Sequence, residues 1–103
     1  MPNEGAFWNT LGVALCVAGR CEESLKALGR SMKLTKGGSA FDWFFVAIAK
    51  HKLKQDDARE WYDKAVAWME EHKPDDEELK RFRAEAAEVL GLGSSRDSED
   101  EGQ

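Results

Sequence analysis

The chain has 103 residues, of which 42% are hydrophobic and 34% are charged, an ordinary balance for one small helical domain. Its net charge of −5 argues against nucleic-acid binding, which requires clustered lysine and arginine. Residues 1–5 contain no secretion signal, and the most apolar stretch, 41–49, is too short to span a bilayer. We therefore expect a cytoplasmic protein with no membrane or nucleic-acid partner.

The first part of the chain is predicted to form two helices joined by a glycine turn. The first helix covers about 6–18, and Gly19 can adopt the left-handed conformation that often ends a helix. The second covers about 22–35 and has apolar residues at helical spacing, namely Leu25, Leu28 and Met32. Gly37 and Gly38 then end this helix.

The third and fourth predicted helices differ in character. Ser39 followed by Asp42 resembles a capping box and indicates a helix over 40–53, which is apolar on more than one face. A tightened turn is expected at 54–56. The fourth helix, 56–72, is amphipathic, with Ala58, Trp61, Tyr62, Ala65, Trp68 and Met69 at helical spacing.

A fifth helix is predicted after Pro74. Asp75 can cap it, because Glu78 follows three residues later, and Gly91 ends it. Its apolar side consists of Leu79, Phe82, Ala86, Val89 and Leu90, and charges cover the rest. Such a helix suits the end of a helical stack. Residues 93–103 form an acidic tail that contains no aliphatic or aromatic side chain. We expect this tail to be disordered and not to be a binding or phosphorylation site.

One pattern occurs twice in the chain. Trp8 and Trp43, thirty-five residues apart, each begin an apolar helix that has a small residue four positions on, Gly12 or Ala47. The helix that follows each of them carries small residues seven apart, which are Ser24 and Ser31 in the first copy and Ala58 and Ala65 in the second. Small side chains allow two helices to approach to about 8–10 Å. Gly12→Leu is therefore expected to cost about 1–3 kcal/mol.

This doubled pattern resembles the tetratricopeptide repeat, whose period is about 34 residues. The resemblance implies an all-α fold of antiparallel helical hairpins, stacked as a short right-handed α-solenoid of two units and a capping helix. Ser24 and Ser31 depart from the alanines usual in the family, and Lys54 stands where a turn glycine is common.

The resemblance also divides the chain into parts. Residues 6–38 form the first hairpin, 39–73 the second and 74–92 the capping helix. Pro2 lies where the family places the last proline of a preceding repeat, so residues 1–5 are expected to join such a repeat. The segments are similar to repeats of large bacterial multidomain proteins, in which they often follow a serine/threonine kinase domain. The chain itself contains no kinase motif.

In this family the first helix of each hairpin lines a concave surface that holds a partner. The implied partner-binding residues are Asn9, Val13, Cys16 and Val17 in the first hairpin and Phe44, Ile48, His51 and Lys52 in the second. Such a groove suits an amphipathic helix or an extended peptide. A core position is the alternative for Phe44 and Ile48. The lysine and asparagine with which some relatives grip chaperone tails are replaced by Asn9 and Val13.

The sequence offers little for catalysis. Cys16 and Cys21 match neither a zinc site nor a disulfide framework, and we interpret them as packing residues in a reducing compartment. Cys16 with His51 is the only nucleophile–base pair on equivalent helix faces, and no third group orients it. His51 and His72 lack metal-ligand spacing, and no phosphate-binding glycine loop occurs.

We therefore expect a non-catalytic module that binds a protein or peptide and needs no cofactor or metal. The alternative is a structural role, either as the C-terminal end of a longer repeat array or in self-association through the uncovered first hairpin.

Overall fold

The computed structural model describes residues 4–92, which form five α-helices and no strand. In chain order they are α1 (Glu4–Val17), α2 (Cys21–Leu34), α3 (Ala40–Lys52), α4 (Ala58–His72) and α5 (Glu77–Leu90). The all-helical prediction is confirmed. The predicted disordered tail lies outside the described residues. None of the helices within residues 4–92 has both the length and the apolar character needed to cross a membrane.

Consecutive helices pack in opposite directions. In the first pair, Gly5 near the start of α1 lies against Thr35 just beyond α2, and Gly12 lies against Leu28 near the middle of both helices. The aromatic contacts between α3 and α4 also run in opposite directions. Phe41 at the start of α3 contacts Trp68 late in α4, and Phe44 contacts Tyr62, which lies earlier in α4. Helices α1 and α2, and α3 and α4, are therefore antiparallel hairpins.

Helix α3 lies at the centre of the molecule. It contacts all four other helices, and its buried residues run without a break from Asp42 to Ala49. Helix α5 covers it on one side, where the Phe82 ring lies 4.7 Å from the Phe45 ring in an edge-to-face contact. Leu79 of α5 is fully buried. The core is thus built around α3.

Most predicted helix ends are confirmed. Ser39 and Asp42 form the capping box of α3, and Gly19 and Gly91 adopt positive φ angles of 85° and 71°. Lys54 also has a positive φ, 62°, in the turn between α3 and α4. A lysine is less suited to this conformation than a glycine.

One cap differs from the prediction. Asp76, and not Asp75, caps α5, because its carboxylate Oδ1 accepts a hydrogen bond of 3.0 Å from the Leu79 backbone N–H. The Asp76 N–H donates to the Lys73 carbonyl oxygen at 3.3 Å, which holds these residues in a turn and delays the helix to Glu77. Helix α2 begins at Cys21, one residue before the predicted start.

The small residues lie where the helices approach most closely. A Cβ atom added to Gly12 would lie 2.6 Å from Leu28 Cγ, so only glycine fits. The Ser24 hydroxyl donates to the Gly12 carbonyl oxygen at 2.7 Å, which an alanine could not do. Ser24 therefore adds a hydrogen bond between α1 and α2 that alanine would not provide.

Candidate functional site

Asn9, which was expected to face a partner, forms hydrogen bonds within the fold. Its side-chain amide donates to Asp42 Oδ1 at 2.9 Å and to the Phe41 carbonyl oxygen at 3.2 Å. The buried Asp42 carboxylate also accepts from the Ser31 hydroxyl at 2.8 Å and from the Ser39 N–H. This network joins α1, α2 and the start of α3, where the positive end of the helix dipole favours a carboxylate.

Three other predicted partner-binding residues are buried. Cys16, Phe44 and Ile48 have 2%, 0% and 3% of their surface exposed. Tyr62 of α4 covers Phe44, with ring centroids 5.8 Å apart. This corrects the expectation of an exposed groove at these positions, and the core alternative describes Phe44 and Ile48. The reason is that neighbouring helices surround α3.

The remaining predicted residues do not form one surface with those three. Val13 is half-buried and packs against the core, whereas Val17, His51 and Lys52 are exposed. Lys52 lines a depression of about 680 Å³ together with Arg20 and residues at the start of α2. The side chains there carry mixed charges, and no apolar anchor position stands out.

The environment of Cys16 is unlike that of a catalytic cysteine. Burial, followed by the neighbouring Cys21 thiol, raises the pKa of Cys16 to about 11. Because the thiolate is the nucleophile, catalytic cysteines have lowered pKa values. His51 is exposed and forms no hydrogen bond with Cys16 within residues 4–92. The same residues contain no cluster of three His, Cys, Asp or Glu side chains that could hold a metal ion.

Two of the three large hydrophobic residues that are exposed within residues 4–92 lie on α1, and the third, Leu34, lies on α2. Phe7 and Val17 have 60% and 72% of their surface exposed. Thr10 and Ala14 are also exposed and Leu11 is half-buried, and we call these five residues the α1 outer face. No charged residue occurs from Gly5 to Gly19. Contiguous exposed apolar surface on a small protein often marks an interaction site.

A groove adjoins this face at the outer edge of the first hairpin. It measures about 610 Å³, and we call it the basic groove. Six of its lining residues are Trp8, Lys26, Gly29, Arg30, Lys33 and Leu34. The Trp8 ring connects the two surfaces, because it contacts Phe7 edge-to-face at 5.3 Å and lies 4.8 Å from the Arg30 guanidinium.

Sequence reasoning missed both surfaces. The signals were present, as an uncharged stretch over 5–19 and as three cations at i, i+4 and i+7 on α2. The family resemblance implied other positions on α1 and α3, of which Cys16, Phe44 and Ile48 are buried. Only Val17 belongs to both the predicted set and the α1 outer face.

No protein-family model, curated protein or solved structure matches the chain. An apolar helix face beside a basic groove, with no activated nucleophile among the described residues, can bind a protein surface.

Proposed function

We propose that this chain is a non-catalytic protein-interaction module that holds a helix or peptide of a partner on the α1 outer face. In this proposal the two hairpins are tetratricopeptide-like repeats, α5 caps them, and the five helices form a short right-handed solenoid. The observation that carries the proposal is the exposure of Phe7 and Val17 on a helix that has no charged residue after Glu4.

The doubled tryptophan pattern and the antiparallel packing of both hairpins support the repeat assignment. The energetics support the binding role. Burial of an apolar side chain of this size stabilises a complex by about 1.5–3 kcal/mol, before the costs of association are subtracted. Phe7 and Val17 lie ten residues apart, so a partner helix could contact both along about 15 Å of α1.

The test compares capture of partners by the wild type and by a Phe7→Glu, Val17→Glu double variant. Ala84→Glu is the matched control, because Ala84 is exposed on α5, away from the first hairpin. Circular dichroism should show that all three forms are folded. We expect the double variant to lose bound proteins that the control retains. Equal capture by the variant and the control would contradict the proposal.

The second candidate function is structural: the α1 outer face is covered by another repeat or by a second copy of the chain. The burial of α3 by its neighbours favours this candidate, because α1 has a similarly apolar sequence and lacks that cover. Sedimentation over a wide concentration range distinguishes self-association from partner binding. A dimer that dissociates in the Phe7→Glu, Val17→Glu variant would support it, and a monomer at all concentrations would exclude the second copy.

A further inference from the structure

The basic groove has two kinds of wall. Trp8, half-buried, and Leu34, 49% exposed, provide apolar surface, and Gly29 leaves the space between the helices open. A Cβ atom added to Gly29 would meet no atom within 4 Å, so the opening is not filled by any neighbouring side chain of residues 4–92. A volume of about 610 Å³ can take one or two large apolar side chains.

The other wall carries positive charge. Lys26, Arg30 and Lys33 are exposed and follow one another at helical spacing along α2. No ion pair within residues 4–92 involves any of the three, whereas Arg20, Arg59 and Lys80 each pair with an acidic side chain. Glu4 also lines the groove, so its lining carries three positive charges and one negative charge. This local excess contrasts with the net charge of −5 of the whole chain.

We infer that the basic groove binds an acidic amphipathic helix of the partner. An apolar side chain of this helix packs between Trp8 and Leu34, and its acidic residues face the cations of α2. The inference rests on the proposed function, since it names the chemistry of the partner that the interaction module holds.

A helix fits this groove better than an extended peptide for a geometric reason. Lys33 follows Lys26 by seven residues, so the row of cations extends about 10 Å along α2. Acidic residues at i, i+4 and i+7 of a partner helix have the same spacing as the three cations of α2. In one alignment of the two helices, all three charge pairs can therefore form. A helix also packs naturally along the groove between two other helices.

The partner should gain specificity and association rate from the charges and affinity from the apolar anchor. Exposed charge pairs contribute little individually, but complementary potentials exclude partners of the wrong sign and steer the encounter. Binding should therefore weaken as salt is added, while the contribution of the apolar anchor persists.

The experiment is a selection of helical peptides from a randomised display library against the intact chain. We expect the selected peptides to carry an apolar residue beside acidic residues at i, i+4 and i+7. Labelled forms of these peptides should bind the Lys26→Glu, Arg30→Glu, Lys33→Glu variant at least about tenfold more weakly in fluorescence anisotropy. The matched control reverses three exposed cations elsewhere, at Lys54, Lys73 and Arg81, and should bind as the wild type does.

A second pair of variants tests the opening at Gly29. Gly29→Trp should fill the groove and weaken binding, whereas Gly29→Ala, which adds only a methyl group, should leave the affinity close to that of the wild type. Circular dichroism and thermal melting identify any variant that loses its fold. Gly29→Trp changes the shape of the groove, whereas the triple reversal changes its charge. If both variants lose binding, the peptide must lie in the groove.

The outcomes separate this inference from the proposed function. Peptides that lose binding with Phe7→Glu, Val17→Glu but not with the triple reversal would overturn the acidic-helix inference and retain the interaction module. Selection of peptides that are not enriched in acidic residues would also overturn the acidic-helix inference and retain the interaction module. Peptides that depend on neither surface would overturn both. Binding of an RNA or DNA oligonucleotide that is lost in the triple variant, with no acidic peptide selected, would show that the groove recognises phosphates.

Discussion

Helices α1 and α3 begin their hairpins with similar apolar sequences but have different surroundings. Nine of the thirteen residues of α3 are buried, compared with two of the fourteen residues of α1. Among the helices of residues 4–92, α3 contacts four others, whereas α1 contacts only α2 and α3. The comparison teaches that position in the stack, and not apolar composition, determines which of two similar helices forms the core and which offers a surface.

The largest expected difference between the two helices is in the response to loss of a phenylalanine ring. Phe44→Ala removes a fully buried ring and should reduce the free energy of unfolding by about 3–5 kcal/mol. Phe7→Ala removes a ring that is 60% exposed and should change it by about 0.5 kcal/mol or less. Urea denaturation of both variants measures the contrast. Similar losses would show that α1 is covered in solution.

The next effect concerns the polar network that joins the two hairpins. Asp42→Ala removes the acceptor for Asn9, Ser31 and the Ser39 N–H, and leaves the first two without this partner in a buried region. We expect a loss of about 2–3 kcal/mol, since hydrogen bonds to a charged group contribute more than neutral ones. The measurement is again chemical denaturation.

Asp75→Ala is the control for Asp42→Ala, because Asp75 is exposed and does not cap α5. Its stability should equal that of the wild type. Asp42→Asn should fall between the two, since an amide oxygen can still accept a hydrogen bond. An Asp42→Ala variant as stable as Asp75→Ala would mean that the network does not hold the hairpins together.

A smaller contrast compares two helical glycines with the same substitution. Gly12→Ala places a methyl group 2.6 Å from Leu28 Cγ and should destabilise the protein by about 1–2 kcal/mol. Gly29→Ala meets no atom within 4 Å and should stabilise it by about 0.5–1 kcal/mol, because alanine favours the helix. Thermal melting should therefore shift in opposite directions. A shift of the same sign for both would contradict the close approach of α1 and α2 at Gly12.

Much of the helical architecture was predictable, because its signals are local. Ser39 with Asp42, Gly19 and Gly91 define helix ends through backbone geometry and short-range hydrogen bonds, and the structure places them as expected. The cap of α5 was misplaced by one residue. Both Asp75 and Asp76 satisfy the local pattern, and only the turn formed by the Lys73 carbonyl oxygen with the Asp76 N–H selects between them.

The partner surface was less predictable, because exposure depends on which helices become neighbours. Ile48 and Val17 are both apolar residues in apolar helices, yet one is 3% exposed and the other 72%. The family resemblance implied that Asn9 faces a ligand, because it lies on the first helix of its hairpin, but Asp42, thirty-three residues later, provides it with a buried partner. No local pattern contains that information.

The last prediction concerns pH and uses Cys16, which α1 buries against its neighbours. Burial raises the pKa of Cys16 from 9.0 to about 11, so the folded state keeps the proton more firmly than the unfolded state. Well below pH 9.0 the thiol is protonated in both states, and its contribution to stability is constant. Above pH 9.0 the unfolded thiol ionises first, and this contribution should decline as the pH rises towards about 11.

The measurement is the difference in free energy of unfolding between the wild type and Cys16→Ala as a function of pH. Lysine and tyrosine titrate in the same range but are shared by both proteins, so their effects largely cancel in the difference. A decline above pH 9.0 would show that this side of α1 is covered in solution. A difference that does not change with pH would mean that water reaches Cys16, and α1 would then be exposed on its inner side as well as on its outer face.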